Sequence, residues 1–229
     1  MSACSNQDLW VVVAAYNEAR AIRGVVAAVR QAGFNILVVD DGSIDETGRI
    51  AQLAGAMVIQ HPINLGQGAA LQTGIDVALL AGAKFIVTFD ADGQHRAGEI
   101  ARLIDVLSTS RADFALGSRF LGRAVGIPPA RRMLLRAATV FTRLTTGLDV
   151  SDAHNGFRAM SRRGAQSIRL RQNRMAHASE LLEQIARSGR KYVEVPVTID
   201  YSRYSKEKGQ RSGDLLFILL DLFVGKLHR

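Results

Sequence analysis

Short runs of apolar, often β-branched residues alternate with helical patterns along the first half of this 229-residue chain. The run at 9–15 is apolar at every position, which is typical of a strand buried on both faces of a parallel sheet. Because such strands and helices alternate, the sequence predicts an α/β fold with a Rossmann-like, mostly parallel sheet and helices on both faces. Further strands are predicted at 36–39, 57–60, 85–89 and 114–116, and helices at 22–29, 45–55, 68–81 and 98–108.

Glycine and proline breaks at 122–129 change the character of the chain and precede a basic amphipathic stretch at 130–146. We place a soft boundary there, between two parts that share one sheet. A helix at 179–187, a strand at 191–197 and a terminal helix from about 213 follow. With a single cysteine, Cys4, and neither a signal peptide nor a run of about 18 apolar residues, we expect a cytosolic setting.

The formal net charge of +8 suits phosphate-bearing ligands, anionic lipid surfaces or nucleic acid. The basic residues are not interleaved with aromatic residues, and they become denser only after about residue 119. We therefore expect no nucleic-acid partner, because no docking motif for one is recognisable.

Two aspartates close the predicted strand at 85–89, in the segment Phe85-Ile-Val-Thr-Phe-Asp90-Ala-Asp92-Gly-Gln94-His95. Alternate side chains of an extended segment point to one side, so Asp90 and Asp92 can converge on a cation at the edge where open α/β sheets bind ligands. Bare carboxylates would repel a diphosphate, so the pair predicts Mg²⁺ or Mn²⁺ between them and the phosphates. Loop carboxylates that cap the next helix are the alternative.

A second acidic pair, Asp40 and Asp41, closes the strand at 36–39. Asp41 is placed to accept hydrogen bonds from a base or a ribose. Gly42 permits a tight turn, and either Ser43 or Asp45 can cap the next helix.

The segment Asn64-Leu-Gly66-Gln-Gly68 places glycines just before a helix. Free backbone N–H groups and the helix dipole favour anions at such a position. A turn with close packing explains these glycines equally well.

Seven short motifs occur in order along nearly the whole chain, and together they resemble the inverting family 2 glycosyltransferases of the GT-A fold. The similarity is strongest to the polyprenyl-phosphate branch, which includes enzymes like dolichyl-phosphate mannosyltransferase. The motifs are Ala15-Tyr16-Asn17-Glu18, Val39-Asp40-Asp41-Gly42-Ser43, Asn64-x-Gly66-x-Gly68-x-Ala70, Asp90-Ala91-Asp92-x-Gln94-His95, Gly117-Ser118-Arg119-Phe120, Asn155-Gly156-Phe157-Arg158 and Glu194-Val195-Pro196-Val197.

The resemblance implies one continuous domain, with a nucleotide-sugar-binding half at 1–122 and an acceptor-binding half at 123–229. It implies catalytic roles for Asp92 and Arg119, although a surface ion pair is the alternative for Arg119, and a metal site of Asp90, Asp92 and Gln94 for Mg²⁺ or Mn²⁺. Because Ala14 stands where relatives usually carry proline, the donor base, in GDP or UDP, stays open. The residues implied to bind the nucleotide sugar are Ala14, Tyr16, Glu18, Val39, Asp41, Asp90, Ala91, Asp92, Arg119, Arg203 and Lys208.

The segment 149–158 resembles the acceptor-side loop of the family. A polyprenyl phosphate oxygen is already anionic and needs no general base, whereas a saccharide hydroxyl would need one, and Asp152, His154 or Glu180 would then serve. A structural hydrogen bond is the more usual role of a loop histidine, and a structural role fits Glu180 equally well. The residues implied to face the acceptor are Asp152, His154, Asn155, Arg158 and Glu180.

Three basic segments bear on partners. The segment at 201–211 resembles a lid that closes over phosphates in relatives, although its composition also fits a disordered linker. The amphipathic stretches at 130–146 and 215–227 fit a peripheral position on the cytoplasmic membrane face, a small membrane partner protein, or a place in the core.

These patterns predict a metal-dependent hexosyltransferase that transfers sugar from a nucleoside diphosphate to a polyprenyl phosphate by direct displacement. Transfer to a saccharide hydroxyl in polysaccharide or glycolipid synthesis is the alternative. A phosphohydrolase with Asp90 as nucleophile would require threonine or valine where Gly93 and Gln94 stand. A catalytically silent binding module is disfavoured by the intact Asp90, Asp92 and Gln94.

Overall fold

The computed structural model describes residues 8–172 and 176–201. Their seven strands form one sheet in the order β3-β2-β1-β4-β6-β5-β7, in which β6 runs antiparallel to both neighbours and the other pairs are parallel. The predicted α/β fold with a mostly parallel sheet is therefore confirmed. The strands are β1 (Leu9–Ala15), β2 (Asn35–Asp40), β3 (Met57–Gln60), β4 (Phe85–Asp90), β5 (Phe114–Val125), β6 (Arg158–Ser161) and β7 (Tyr192–Asp200).

Helices cover both faces of this sheet, because successive strand residues point to opposite sides. Val11 and Val13 of β1 pack in a core with α1 and α4, whereas Val12 between them packs in a second core with α3, α6 and α7. The helices are α1 (Ile22–Gln31), α2 (Thr47–Leu53), α3 (Gln67–Leu80), α4 (Ile100–Ser110), α5 (Pro129–Thr146), α6 (Arg162–Gln166) and α7 (Ala176–Ser188).

The second half departs most from the sequence-based expectation. The predicted strand at 114–116 is too short, because β5 continues to Val125 and its last residues, Arg123–Val125, pair with Thr198–Asp200 of β7 after an irregularity. The break expected at 122–129 therefore begins only after Val125. The short β6 and α6 were not predicted. The terminal helix expected from about 213 lies outside the described residues.

Strand register places three predicted ligand-binding residues in one row. Ala14 of β1 lies opposite Val39 of β2 on one side and opposite Asp90 of β4 on the other. All three stand at the carboxyl ends of parallel strands, the edge where open α/β sheets bind ligands.

Candidate active site

The loops that follow β1 and β2 are fastened to each other at this edge. The Asn17 N–H donates to Ser43 Oγ (2.9 Å), the Ile44 N–H donates to Asn17 Oδ1 (3.0 Å), and the Glu18 N–H donates to Thr47 Oγ1 (2.8 Å). Ser43 therefore ties two loops together, whereas Asp45, the other residue predicted to cap α2, accepts from the N–H of Thr47, the first residue of that helix (3.0 Å). These bonds give the ends of β1 and β2 a common, fixed geometry.

Asp41, implied to contact the nucleoside, is only 2% exposed. Its Oδ1 lies 2.8 Å from His61 Nδ1 and accepts from the Leu65 N–H, and its Oδ2 accepts from the Gly66 N–H. Asp41 thus holds the loop before α3 in place. Its predicted contact with a nucleoside stays a prediction.

The glycines before α3 are explained by close packing. The Gly66 N–H, which an anion would need, is used by Asp41. A Cβ at Gly68 would lie 2.0 Å from the Gln172 carbonyl oxygen, so a larger residue cannot stand there. Of the two readings that the sequence left open, the packing reading is the one that these contacts favour.

Asp90 and Asp92 meet at the carboxyl end of β4 and each has its own hydrogen-bond partner. Asp90 Oδ2 lies 2.7 Å from His95 Nε2. Asp92 accepts from the Gln94 N–H at Oδ1 (3.0 Å) and from the Gln94 side-chain amide at Oδ2 (2.7 Å). Neither aspartate caps the 3₁₀ turn at Ala97–Glu99 or α4. The helix-capping alternative is therefore wrong.

The two carboxylates repel each other. Burial, and then the charge of Asp90, raise the pKa of Asp92 to about 6. Burial acts in the same direction on Asp90, but electrostatic attraction to His95 and the hydrogen bond with it, together with attraction to His177 and Arg119, outweigh burial and lower the pKa of that carboxyl. Such a pair is stabilised by a cation between the carboxylates.

The residues present fit Mg²⁺ or Mn²⁺ if the substrate supplies further ligands. Among residues 8–172 and 176–201, no three His, Cys, Asp or Glu side chains cluster closely enough to hold a metal by themselves. Mg²⁺ is commonly bound by one or two carboxylates together with water and substrate phosphates, which is the arrangement that Asp90 and Asp92 offer. Gln94 holds Asp92 here, and its implied role as a ligand stays a prediction.

The backbone of Gly156 lies directly against the Asp90 carboxylate. The Thr88 hydroxyl donates to the Gly156 carbonyl oxygen (2.6 Å) and holds that backbone in place. A Cβ at Gly156 would lie 2.3 Å from Asp90 Oδ1 and 2.7 Å from Oδ2. The position therefore has room for glycine alone.

We expect Gly156→Ala to lower sugar transfer by about 10²-fold, because the added methyl group displaces the Asp90 carboxylate. The side-chain end of Asp90 can shift, so the variant should still fold. The measurement is the initial rate together with the melting temperature. The matched control is Gly98→Ala, where a Cβ meets nothing within 4 Å. Equal rates for both variants and the parent would contradict the expected displacement.

Arg119 lies in a buried ion pair with Asp152. The two residues are 7% and 3% exposed, and Arg119 donates to Asp152 Oδ2 through Nε (2.6 Å) and through its backbone N–H (3.0 Å). Arg119 also donates to the Tyr201 hydroxyl and the His154 carbonyl oxygen. The surface ion pair considered from sequence is wrong, since the pair is buried. The implied contact of Arg119 with a phosphate stays a prediction.

His154 and Arg158 occupy the same buried region. Burial, followed by the charge of Arg158, lowers the pKa of His154 to about 4. Burial also lowers the pKa of Arg158, to about 10, although Asp152 and Asp90 raise it, so the guanidinium stays charged at neutral pH. Arg158 Nη2 donates to the Ala153 carbonyl oxygen (3.1 Å). The loop therefore carries buried positive charge close to Asp90.

We expect His154 to stay neutral at every pH above about 5. Its folded-state pKa of about 4 lies below the ordinary 6.5, so between these values the unfolded chain binds more protons. The stability that His154 contributes is thus present above about pH 6.5 and is lost as the pH falls towards 4. An NMR titration of the imidazole gives the pKa, and His154→Gln should flatten the acid side of the melting-temperature profile. A midpoint near 6.5 would contradict the burial of this ring.

The remaining acceptor-side residues hold local structure. Asn155 Oδ1 accepts from the Phe157 N–H (3.0 Å) and shapes the turn before β6. Glu180 on α7 accepts from the N–H groups of Arg171 and Gln172, so it holds the loop that leads to residue 172. The structural role considered for Glu180 from sequence is the one that these contacts favour.

Several further residues predicted to bind the nucleotide sugar lie near the same edge of the sheet. Tyr16 is exposed and Glu18 is buried beyond the end of β1, and Glu18 lies close enough to Asp92 to raise the pKa of that carboxyl. Ala91 is buried between the two aspartates. Arg203, Lys208 and the rest of the predicted lid after Tyr201 lie outside the described residues.

Sequence reasoning missed the partners that hold the predicted residues. These are His95 beside Asp90, His61 beside Asp41, and Tyr201 beside Arg119. His95 stood inside a quoted motif, so its proximity to Asp90 was the one available signal. The other two pairs are 20 and 82 residues apart in the chain, and no local pattern reveals them.

The mostly parallel sheet with an acidic pair at its carboxyl edge matches the GT-A fold of glycosyltransferases. The chain superposes over 93% of its length on 78% of a crystal structure of Mycobacterium tuberculosis glucosyl-3-phosphoglycerate synthase in complex with Mn²⁺, UDP and phosphoglyceric acid. The TM-score is 0.66, at 22% sequence identity. The chain belongs to glycosyl transferase family 2, whose sequence profile matches residues 10–169. The resemblance stated from the motifs is thereby confirmed.

Two relatives match almost end to end. The UDP-N-acetylglucosamine–dolichyl-phosphate N-acetylglucosaminyltransferase of Methanococcus voltae is 30% identical over 96% of this chain and 97% of its own length. The polyprenol monophosphomannose synthase of Mycolicibacterium smegmatis is 33% identical over 97% of this chain and 90% of its own length. Both names describe transfer to a lipid phosphate, although their sugars differ.

Proposed function

We propose that this protein transfers a sugar from a GDP- or UDP-linked donor to a polyprenyl phosphate, with inversion at the anomeric carbon. The observation that carries the choice of acceptor is that all three candidate general bases are poorly suited to take a proton. Asp152 is paired with Arg119, Glu180 accepts backbone N–H groups, and His154 has a pKa of about 4. An anionic phosphate oxygen needs no base, so such a site suits it better than a hydroxyl. The names of the two relatives support the same acceptor.

The donor would lie along the carboxyl edge of the sheet, with its nucleoside against Ala14 and Val39 and its diphosphate at Asp90 and Asp92. Strand register supports this placement, because Val39, Ala14 and Asp90 form one row. Asp90 and Asp92, with Gln94, would hold Mg²⁺ or Mn²⁺. The ion would offset the charge that develops on the departing diphosphate.

The proposed reaction is a single displacement. An oxygen of the acceptor phosphate forms a bond to the anomeric carbon while the bond from that carbon to the diphosphate oxygen breaks on the opposite face. The nucleoside diphosphate leaves with the bonding electrons, and no proton has to move. The buried positive charge of Arg119 and Arg158 would favour the approach of the anionic acceptor.

We further propose that the protein acts at the cytoplasmic membrane face as a peripheral protein. None of the helices within 8–172 and 176–201 is long and apolar enough to cross a membrane. Helix α5 carries exposed apolar residues, among them Met133 and Leu144, beside arginines such as Arg132 and Arg136. An exposed apolar face next to cations suits the boundary between acyl chains and lipid phosphates.

The test is a transfer assay with GDP-mannose, UDP-glucose and UDP-N-acetylglucosamine, each with Mn²⁺ and either a short polyprenyl phosphate or a saccharide acceptor. Label should enter the lipid phosphate with at least one donor, and the matching nucleoside diphosphate should raise the melting temperature in the presence of Mn²⁺. Transfer to the saccharide alone would overturn the proposed acceptor. Full activity after removal of divalent metal would overturn the metal dependence.

A further inference from the structure

We infer that His95 is a positioning residue for Asp90: its Nε2–H holds Asp90 Oδ2 and leaves Oδ1 to face the metal and the diphosphate. This inference rests on the proposed metal-dependent function and assigns a task to a side chain that the proposed reaction does not use. His95 Nε2 and Asp90 Oδ2 are 2.7 Å apart. Within the described parts of the chain, His95 holds Oδ2, whereas Oδ1, the carboxylate oxygen nearer to the Gly156 backbone, accepts no hydrogen bond.

The imidazole ring is fixed by its neighbours and cannot follow the carboxylate. The His95 side chain is 2% exposed. Its centroid lies 5.2 Å from the ring of Phe89, in an edge-to-face arrangement, and 5.1 Å from the ring of Phe157. Aromatic contacts at these distances are favourable and restrict the orientation of the ring.

The backbone of His95 is anchored independently of Asp90. His95 forms an isolated antiparallel bridge with Ile199 of β7, and the Asp200 N–H donates to the Gln94 carbonyl oxygen (2.9 Å). The loop after β4 is thus attached to the far strand of the sheet. Because the sheet sets the position of His95, the direction of the hydrogen bond to Asp90 is set as well.

The ring has a single polar contact among the described residues. His95 Nδ1 is buried without a hydrogen-bond partner there, so Nε2 is the ring atom that is engaged, and its partner is Asp90. A phenylalanine at position 95 would pack between Phe89 and Phe157 equally well. The feature that a phenylalanine lacks is the N–H group directed at Asp90. Groups that hold a metal-binding carboxylate commonly set its affinity for the metal.

The experiment compares Mn²⁺ binding, by isothermal titration or electron paramagnetic resonance, in the presence of UDP or GDP. His95→Phe keeps the ring and removes the donor, and we expect it to weaken Mn²⁺ binding by about 10- to 100-fold at a melting temperature close to that of the parent. His95→Gln places an amide N–H near the position of Nε2, so its Mn²⁺ affinity should stay close to that of the parent.

A second pair of variants covers the case in which His95→Phe does not fold. The asparagine side chain in His95→Asn is also polar, but it is one methylene shorter than glutamine and cannot reach Asp90. This variant should therefore bind Mn²⁺ as weakly as we expect of His95→Phe. Parent-like affinity in His95→Phe or His95→Asn overturns the inference. Equal losses of Mn²⁺ affinity in His95→Gln and His95→Asn also overturn the inference, because the imidazole ring, and not its N–H donor, would then determine the affinity. If the parent itself binds no Mn²⁺ with either nucleotide, the proposed metal-dependent function fails first.

Discussion

Asp92→Asn is expected to lower sugar transfer by about 10²- to 10³-fold, with a similarly large loss of Mn²⁺ binding in the presence of the nucleotide. Asparagine has the same shape, can still accept the Gln94 N–H at Oδ1, and can donate its side-chain N–H to Gln94 Oε1 once that amide turns over, so the loop after β4 should keep its conformation. What is removed is one of the two charges that would hold the metal. The measurement is the transfer rate over a range of Mn²⁺ concentrations.

Stability should not fall in this variant. In the parent, burial and the charge of Asp90 already disfavour the ionised form of Asp92. Removal of that charge relieves the repulsion, so the melting temperature of Asp92→Asn should equal or exceed that of the parent. Asp105→Asn, on the exposed side of α4, is the matched control and should leave both rate and melting temperature unchanged. Parent-like transfer by Asp92→Asn would remove the basis for the proposed metal site.

Asp152→Ala is expected to lower the free energy of unfolding by about 3–5 kcal/mol, because it leaves the charge of Arg119 buried without its partner. The pair is almost inaccessible to water, and Asp152 Oδ2 accepts from both Nε and the backbone N–H of Arg119. Urea unfolding at pH 7 measures the change. The double variant Arg119→Met/Asp152→Ala should recover part of the loss, because no unpaired charge is left.

Glu46→Gln is the control for this prediction, since it breaks an exposed ion pair with Arg49 at the start of α2. Exposed pairs contribute less than about 1 kcal/mol, so its effect should be small. If Asp152→Ala unfolds like the parent but transfers no sugar, then Asp152 acts in the chemistry and the base-free proposal is wrong. A large loss of stability instead identifies Asp152 chiefly as the partner of Arg119.

The elements of the first half were predictable because apolar strand segments and helical patterns alternate regularly along that part of the chain. β1 and β3 begin and end at the predicted residues, and α3 differs by one residue at each end. β3 has only four residues but falls within the regular alternation of strands and helices, whereas the equally short β6 lies outside that alternation. α6, with five residues, contains too few positions for a helical period to appear. The length of β5 depends on its pairing with β7, which lies more than 60 residues later in the chain.

In the candidate site, too, residues within short motifs were predictable from the sequence, whereas contacts between distant segments were not. Asp41, Asp90 and Asp92 were found because each lies at or just after the end of a strand within a short motif, and Arg119 was found from its motif alone. The burial of Arg119 against Asp152 and the close contact of Gly156 with Asp90 depend on the packing of the 149–158 loop against the end of β4 and the middle of β5. Contacts between distant segments leave no periodic trace in the sequence.

By itself, the sequence determined the α/β fold, the acidic pair at the carboxyl edge of the sheet and the membership in glycosyl transferase family 2. These depend on local periodicity and on motifs only a few residues long, both of which can be read along the chain. Only the tertiary structure decided which oxygen of Asp90 is held by His95 and which candidate bases are engaged in other contacts. The reason is physical: burial and hydrogen-bond partners are set by how distant segments pack, and these in turn set charge and reactivity.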